Sequence, residues 1–440
     1  MDEHDIREQA LKPKERHAVI DALRNGVTPV KGVDHVTVGR DKEIDSFKRN
    51  VAKIKEDGAA FRFIIGEYGA GKSHFLHLVR NHAISQGLVT LHADLTPERR
   101  LHHSGGFARN LYAELMKNMS NRSNRDGDAL KSVVERFITK SQEQAKKKGL
   151  NERKFIEDRL SRLTDDVSGY DFAKVISVYW KAYEQDNKAD METALRWLRG
   201  EFANKTEMRK AFGNATELRT IIDDTSLYRM FKLLARFVCL TGYGGLIILI
   251  DEMALLYKIS HKNSRESNYE QILAYYNDIN SGSAEHLGFV MAGTTDFLEC
   301  EKRGLYSYGA LKSRLEDNKF ARKQNLIDYD APMLRLDNLS QNTLLELLRK
   351  IRHVYAYGIE KDYLVPDECL DAFYAHCYRG IGADCYRTPR NTVREFVSLL
   401  SIIEQNPDRS WHDFIDKVEI RKEIVPDIPD FDDNLIPFKL

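Results

Sequence analysis

FRFIIGEYGAGKSHFLHLV, residues 61–79, is the stretch on which the reading of the whole chain turns. Its centre, Gly66-Glu67-Tyr68-Gly69-Ala70-Gly71-Lys72-Ser73, fits G-x-x-x-x-G-K-[ST] without a mismatch. The apolar run Phe61–Ile65 before it reads as a buried strand, and the run carrying Phe75, Leu76, Leu78 and Val79 after it reads as a helix. A strand-loop-helix unit aims main-chain N–H groups at phosphate from a helix N-terminus, where the dipole also favours negative charge. Glycines let the main chain curl closely around the β-phosphate. Lys72 suits the β/γ-phosphates, and the Ser73 hydroxyl is a hard oxygen ligand for Mg²⁺. The alternative is a chance Gly-rich turn, which requires neither the strand nor the helix. Residues Gly66–His74 therefore form the expected contact surface for a nucleoside triphosphate.

A second strand signal, Leu246-Ile247-Ile248-Leu249-Ile250, runs into Asp251-Glu252. An all-apolar run suits a central parallel strand covered on both faces. Its C-terminal end is where α/β sheets bind ligands. Asp251 is the expected second Mg²⁺ ligand, acting through water. Glu252 is the expected residue that orients, or takes a proton from, an attacking water. A third strand, Leu287–Gly293, ends in Thr294-Thr295, where either hydroxyl suits a γ-phosphate sensor or simply an ST-turn. Arg314 in Lys312-Ser313-Arg314-Leu315 reads either as an arginine finger offered to a neighbouring subunit or as an ordinary surface arginine. Arg390, in the first turn of a helix opened by Pro389, could meet phosphates from the side of a helical lid, with Arg387 as the second choice.

Upstream, Val38-Gly39-Arg40-Asp41-Lys42-Glu43 forms an apolar-Gly-Arg-x-x-Glu box ahead of a helix running to about Ile54. Gly39 and Arg40 are candidate contacts to the nucleotide; the plainer reading is a capped surface helix. The expected organisation is an N-terminal helical segment over 1–34, an α/β core over 35–330, a helical lid over 331–405 and an extension over 406–440. Residues 120–225 are too long for a simple crossover and read as a helical insertion within the core, with Trp180 and Trp197 on buried faces. Further helices are expected over Asp5–Arg24, Tyr170–Tyr183, Met191–Phe202 and Asn268–Asn280.

With 67 Lys+Arg and 67 Asp+Glu the chain carries no net charge, so it is not a strongly basic nucleic-acid binder overall. No apolar run is long enough to span a bilayer, and the charged N-terminus lacks the apolar stretch of a secretory signal. Five cysteines, odd in number, fit a reducing cytoplasm better than a disulfide framework. His92, His102 and His103 lack metal-ligand spacing, and Cys369, His376, Cys377 and Cys385 lack zinc-knuckle spacing.

Taken in series, Gly39-Arg40-x-x-Glu43, GEYGAGKSH, LIILIDE, VMAGTTDF, Lys312–Leu315 and Thr388-Pro389-Arg390 resemble an AAA+-type P-loop ATPase of the ASCE class. The box ahead of the loop is similar to that of the origin-recognition (ORC/Cdc6-like) and STAND-like branches. The wording GEYGAGKSHFL resembles, more narrowly, the BREX-associated ATP-binding domain family of bacterial phage-defence systems. The resemblance covers about residues 30–100 and 225–400. It implies Walker-A roles for Lys72 and Ser73, Walker-B roles for Asp251 and Glu252, sensor 1 at Thr294 or Thr295, the finger at Arg314 and sensor 2 at Arg390. It implies ATP and Mg²⁺ as cofactors, ATP hydrolysis, an ATP-dependent homo-oligomer, and work with DNA or a DNA-processing partner such as a helicase. Two departures stand out: threonines replace the asparagine common at sensor 1, and too few residues follow 405 for a winged-helix domain. A nucleotide-gated scaffold with little turnover and a DNA-loading ATPase are the alternatives. A remodelling chaperone would need an aromatic pore loop, for which Tyr257 is the candidate.

Overall fold

The computed structural model describes residues 11–103, 105–213, 217–324, 326–378, 388–415 and 417. Five strands form one parallel sheet: β1 (Ala59–Ile65), β2 (Val89–Asp94), β3 (Leu246–Asp251), β4 (Leu287–Gly293) and β5 (Met333–Arg335). Their order is β2-β3-β4-β1-β5. Every residue of β1, β3 and β4 is buried, as parallel strands covered on both faces require. The phosphate-loop strand β1 is thus separated from the acid-bearing strand β3 by one strand, β4, which ends in the two threonines. This is the α/β P-loop fold the motifs imply.

The helices are α1 (Pro13–Arg24), α2 (Asp41–Lys55), α3 (Lys72–Ser85), α4 (Phe107–Lys117), α5 (Leu130–Lys148), α6 (Glu152–Ser161), α7 (Val167–Glu184), α8 (Lys188–Leu198), α9 (Lys205–Phe212) and α10 (Leu227–Leu240). They continue as α11 (Ala254–Tyr257), α12 (Lys262–Asn280), α13 (Thr295–Glu299), α14 (Gly309–Leu315), α15 (Lys319–Lys323), α16 (Gln341–Tyr355), α17 (Asp367–Tyr378), α18 (Pro389–Gln405) and α19 (His412–Ile415). Of the described residues, one compact unit gathers 11–45, 65–79 and 335–417, and the other gathers 46–64 and 80–334.

The larger unit holds the sheet. Phe289 on β4 is packed by Phe61 at 6.1 Å, Phe231 at 5.8 Å and Tyr275 at 5.3 Å between ring centroids. Between β2 and β3 the chain builds α5 to α9, the helical insertion. Trp197 and Trp180 are both buried there. Asp171, also buried, accepts from the main-chain N–H groups of Arg219 (3.0 Å) and Thr220 (2.6 Å) and so fastens the returning chain to α7. Its helices α6 to α9 begin where side chains satisfy their first amides. Asp166 accepts from Gly169 N–H and starts α7 before the expected Tyr170; Asn187 accepts from Asp190 N–H and starts α8 before Met191.

The smaller unit is helical. α1, α16, α17 and α18 enclose Val19, Ile20, Leu348, Ile351, Phe373, Phe396 and Leu400, with Val36 and Val38 from the segment before α2. Burying each of these side chains contributes about 1.5–3 kcal/mol.

Three expectations change. The helix expected from Asn268 starts at Lys262, because its polar first turns carry no apolar period; Arg265 there donates to the Ile259 carbonyl at 2.6 Å. The stretch expected to be wholly helical from 331 opens with β5, and Phe63 N–H donates to the Pro332 carbonyl at 2.7 Å. The N-terminal helix starts at Pro13, and residues 1–10 lie outside the described residues. No helix among the described residues is long and apolar enough to cross a membrane.

Candidate functional site

Strand β1 runs directly into the loop 66–71, and α3 begins at Lys72. Gly69 (φ +81°) and Gly71 (φ +88°) take left-handed backbone, which costs an L-residue roughly 1–2 kcal/mol. A Cβ on Gly69 would lie 2.7 Å from Cβ of Thr388, and one on Gly66 would lie 2.9 Å from the Leu336 carbonyl oxygen. At Gly71 the same atom would meet nothing within 4 Å. The loop is therefore packed hard at Gly66 and Gly69 and open at Gly71. The first turn of a helix leaves its N–H groups without intrahelical acceptors; Phe75 N–H is the one that closes back, onto the Gly71 carbonyl at 2.9 Å. Lys72 Nζ curls over the loop and donates to the carbonyls of Gly66 (3.0 Å) and Glu67 (2.9 Å). Positive-φ glycines, a helix N-terminus and a folded-back lysine form a cradle that fits a polyphosphate, and Ser73 supplies a hard oxygen beside it.

The surroundings of the loop in this unit fix its shape. Arg40 donates to the carbonyls of Ala70 (3.2 Å) and Asp337 (2.6 Å) and pairs with Glu43 at 3.4 Å. Gly39, at φ +59°, lies against the methyl of Thr343, where a Cβ would come within 2.7 Å. The Gly-Arg-x-x-Glu box thus braces the phosphate loop from behind. His74 Nε2 lies 3.0 Å from Thr37 Oγ1, whose own proton goes to the Val33 carbonyl at 2.9 Å. A hydroxyl has one proton to give, so His74 Nε2–H is the donor. Desolvation, with smaller contributions from His77 and Arg40, lowers the His74 pKa to about 4, which keeps it neutral in this role. Tyr68 places its ring 5.8 Å from Lys72 Nζ and 5.3 Å from the Arg390 guanidinium. The lid arginine expected from sequence is therefore beside the loop, at the start of α18. Arg387 lies outside the described residues.

The acids stand in the larger unit. Asp94 closes β2 and Asp251 closes β3, and the two are direct register partners. Burial, then the Asp251 charge, push the Asp94 carboxyl upward. Glu252 follows with φ +57°, a left-handed position that a glutamate rarely takes. Its N–H donates to Asp251 Oδ1 at 2.8 Å, and the next amide, Met253 N–H, donates to the Ala292 carbonyl of β4 at 3.0 Å. A turn this constrained aims a chosen side chain, and such outliers gather at functional positions. Asp94 escaped the sequence reading because no linear motif links it to Asp251; its place at the end of an apolar strand was the available signal.

Thr294 caps α13 by accepting from Phe297 N–H at 3.3 Å, while Thr295 is the first residue of that helix. Arg314 is exposed and donates to Asn277 Oδ1 (2.9 Å) and the Ala310 carbonyl (2.8 Å). His103 accepts from Gly105 N–H at 2.7 Å and stacks on Phe107. Cys369 and Cys377 are buried thiols, and Cys385 lies outside the described residues.

No curated protein matches the chain. A family model described as BREX system ATP-binding protein BrxC/D matches residues 11–419, nearly the full length and every motif named above. On that match the chain belongs to the BREX system ATP-binding protein BrxC/D family.

Proposed function

We propose that the chain binds ATP with Mg²⁺ and hydrolyses it as the motor or switch of a BREX-type antiphage system. Membership of an ATP-binding family carries the nucleotide. What supports turnover is the end of β3, where Glu252 is held in a left-handed turn with its amide on Asp251. A protein that needed only to hold nucleotide would have no use for a strained glutamate there.

In this reading the main chain of Gly66–Gly71 and Lys72 hold the phosphates, and the hydroxyl of Ser73 and, through water, the carboxylate of Asp251 would hold Mg²⁺. The ion, when bound, neutralises charge on the β/γ oxygens. Glu252 orients the attacking water and accepts its proton. Thr295, or Thr294 on leaving its cap, contacts the γ-phosphate or that water. Arg390 reaches the phosphates from the lid side, and Arg314 serves a neighbouring copy after exchanging its bonds to Asn277 and Ala310. The ATP state is a homo-oligomer in the cytoplasm that works with DNA or a DNA-processing partner such as a helicase.

The test is ATPase activity of wild type and Glu252→Gln over a range of protein concentrations, with and without DNA. General-base loss predicts a fall of about 10²–10⁴ in turnover with ATP still bound. Equal hydrolysis by both proteins removes Glu252 from the reaction. A rate per subunit that does not rise with concentration removes Arg314 as a finger acting between copies.

A further inference from the structure

The helical insertion supplies no residue to the phosphate loop or to the acids that end β2 and β3, yet it holds a cavity of its own. The segment 149–151 and the first turn of α6 form one side, and the last turn of α7 forms the other. Leu150, Asn151, Glu152, Arg153, Trp180 and Glu184 line a space of about 470 Å³, within the size range of ligand pockets. Its charges are unequally matched. Arg153 Nε donates to Glu157 Oε1 at 3.1 Å, and Glu152 pairs with Lys146 at 3.6 Å. The Glu184 carboxylate has neither an ion pair nor a hydrogen bond among the described residues. Glu184 is also the last residue of α7, where the negative end of the helix dipole adds to its own charge. Trp180 stands four residues earlier on the same face of α7. It is 4% exposed, and its indole N–H is buried without an acceptor among the described residues. Leu150, 51% exposed, gives the rim an apolar edge.

These features suit a ligand with three properties. It carries a cation for Glu184 and for the indole, the best cation seat among the aromatic side chains. It carries an acceptor for the indole N–H, since a buried donor left unpaired costs about 1–3 kcal/mol. It carries an aliphatic stem to lie along Leu150. A metal ion or a polyamine brings no acceptor, and a nucleic acid brings phosphates toward Glu184 and the negative end of α7. An arginine or lysine within a peptide brings all three, its main-chain carbonyl being the acceptor. We propose that this cavity docks a basic side chain on an extended segment of a partner protein, and that the insertion is the part of the chain that holds this partner. The basic head lies between Trp180 and Glu184, and the peptide carbonyl accepts from the indole N–H. The proposal is independent of the nucleotide reading.

The probe is a fluorescein-labelled alanine pentapeptide with a central arginine, titrated with the full chain and read by fluorescence polarisation. Saturable binding is expected, weaker by about five-fold when citrulline replaces the arginine and so removes the charge but keeps the shape. Glu184→Gln should weaken the arginine peptide by about three-fold and leave the citrulline peptide within about two-fold. Trp180→Phe, which keeps a ring and removes the N–H, should weaken both peptides alike by about five-fold. Neither spermidine nor a single-stranded oligonucleotide should displace the arginine peptide at equal concentration. A wild-type chain that binds no arginine peptide, equal affinity for the arginine and citrulline peptides, a preference that Glu184→Gln does not reduce, a Trp180→Phe chain that binds as wild type, or displacement by either competitor would each overturn the proposal. If Trp180→Phe does not fold, Glu184→Lys on the exposed rim decides: an unchanged affinity for the arginine peptide overturns it, and a loss of ten-fold or more supports it.

Discussion

The phosphate loop and the acidic edge of the sheet reach opposite potentials by opposite means. Around Gly66–His74 positive charge is supplied by the N-terminus of α3 and the loop amides, with Lys72 and Arg390 beside Tyr68. Glycine is required there because Gly69 and Gly71 hold left-handed backbone and Gly66 and Gly69 are closely packed. At the ends of β2 and β3 the field is negative and comes from side chains, Asp94 and Asp251 in register with Glu252 turned beside them. The first region is therefore expected to fail through changes of backbone shape. The second is expected to keep its fold and lose its chemistry when a carboxylate becomes an amide.

The contrast can be broken most severely at Lys72. Lys72→Ala removes the side-chain cation that bonds the Gly66 and Glu67 carbonyls, and ATP binding is expected to vanish in a calorimetric titration while the sheet melts as in wild type. Persisting micromolar affinity would show that the main chain alone suffices. Next is Gly69→Ala, which forces a side chain into φ +81° and onto Thr388. A loss of about 1–3 kcal/mol should appear as a lower melting temperature together with weaker ATP binding. Unchanged melting would show that the loop has slack at this point.

The most gradual effect concerns acid. His74 has a folded-state pKa of about 4, below its ordinary value of 6.5. Below about pH 6.5 the unfolded chain takes up a proton that the folded chain refuses until near pH 4. Stability from this group is therefore full at neutral pH and falls as pH drops through that window, by at most about 3 kcal/mol. His74→Gln keeps a donor toward Thr37 without the titration. Its urea midpoint should change less than that of wild type between pH 7.5 and pH 5; parallel losses would exclude His74 as the cause.

The parts of this molecule that were legible in sequence share a short range. The phosphate loop, the strand before it and the helix after it lie within residues 59–85, and the apolar run of β3 announces the acids at its own end. What was not legible depends on partners distant in the chain. β5 is three residues long beside a proline, and only its pairing with β1 makes it a strand. Asp94 becomes a neighbour of Asp251 through strand register, which no spacing in the sequence encodes. Arg40 was legible as a motif residue. That its guanidinium ties Ala70 to Asp337 follows from a contact spanning most of the chain. The cation seat at Tyr68 is hidden for the same reason, since Arg390 lies more than three hundred residues onward.

That separation has a consequence for how the molecule is born. The smaller unit is assembled from three pieces, residues 11–45, 65–79 and 335–417. Its first two pieces leave the ribosome early and must wait, unpaired, while the long uninterrupted run 80–334 is made and can begin to organise alone. Leu336, Asp337, Thr388 and Arg390, which shape the loop, arrive only with the last piece. Translation thus makes residues 66–74 long before the residues that shape them, so a polypeptide halted before residue 388 cannot hold the loop in its mature form.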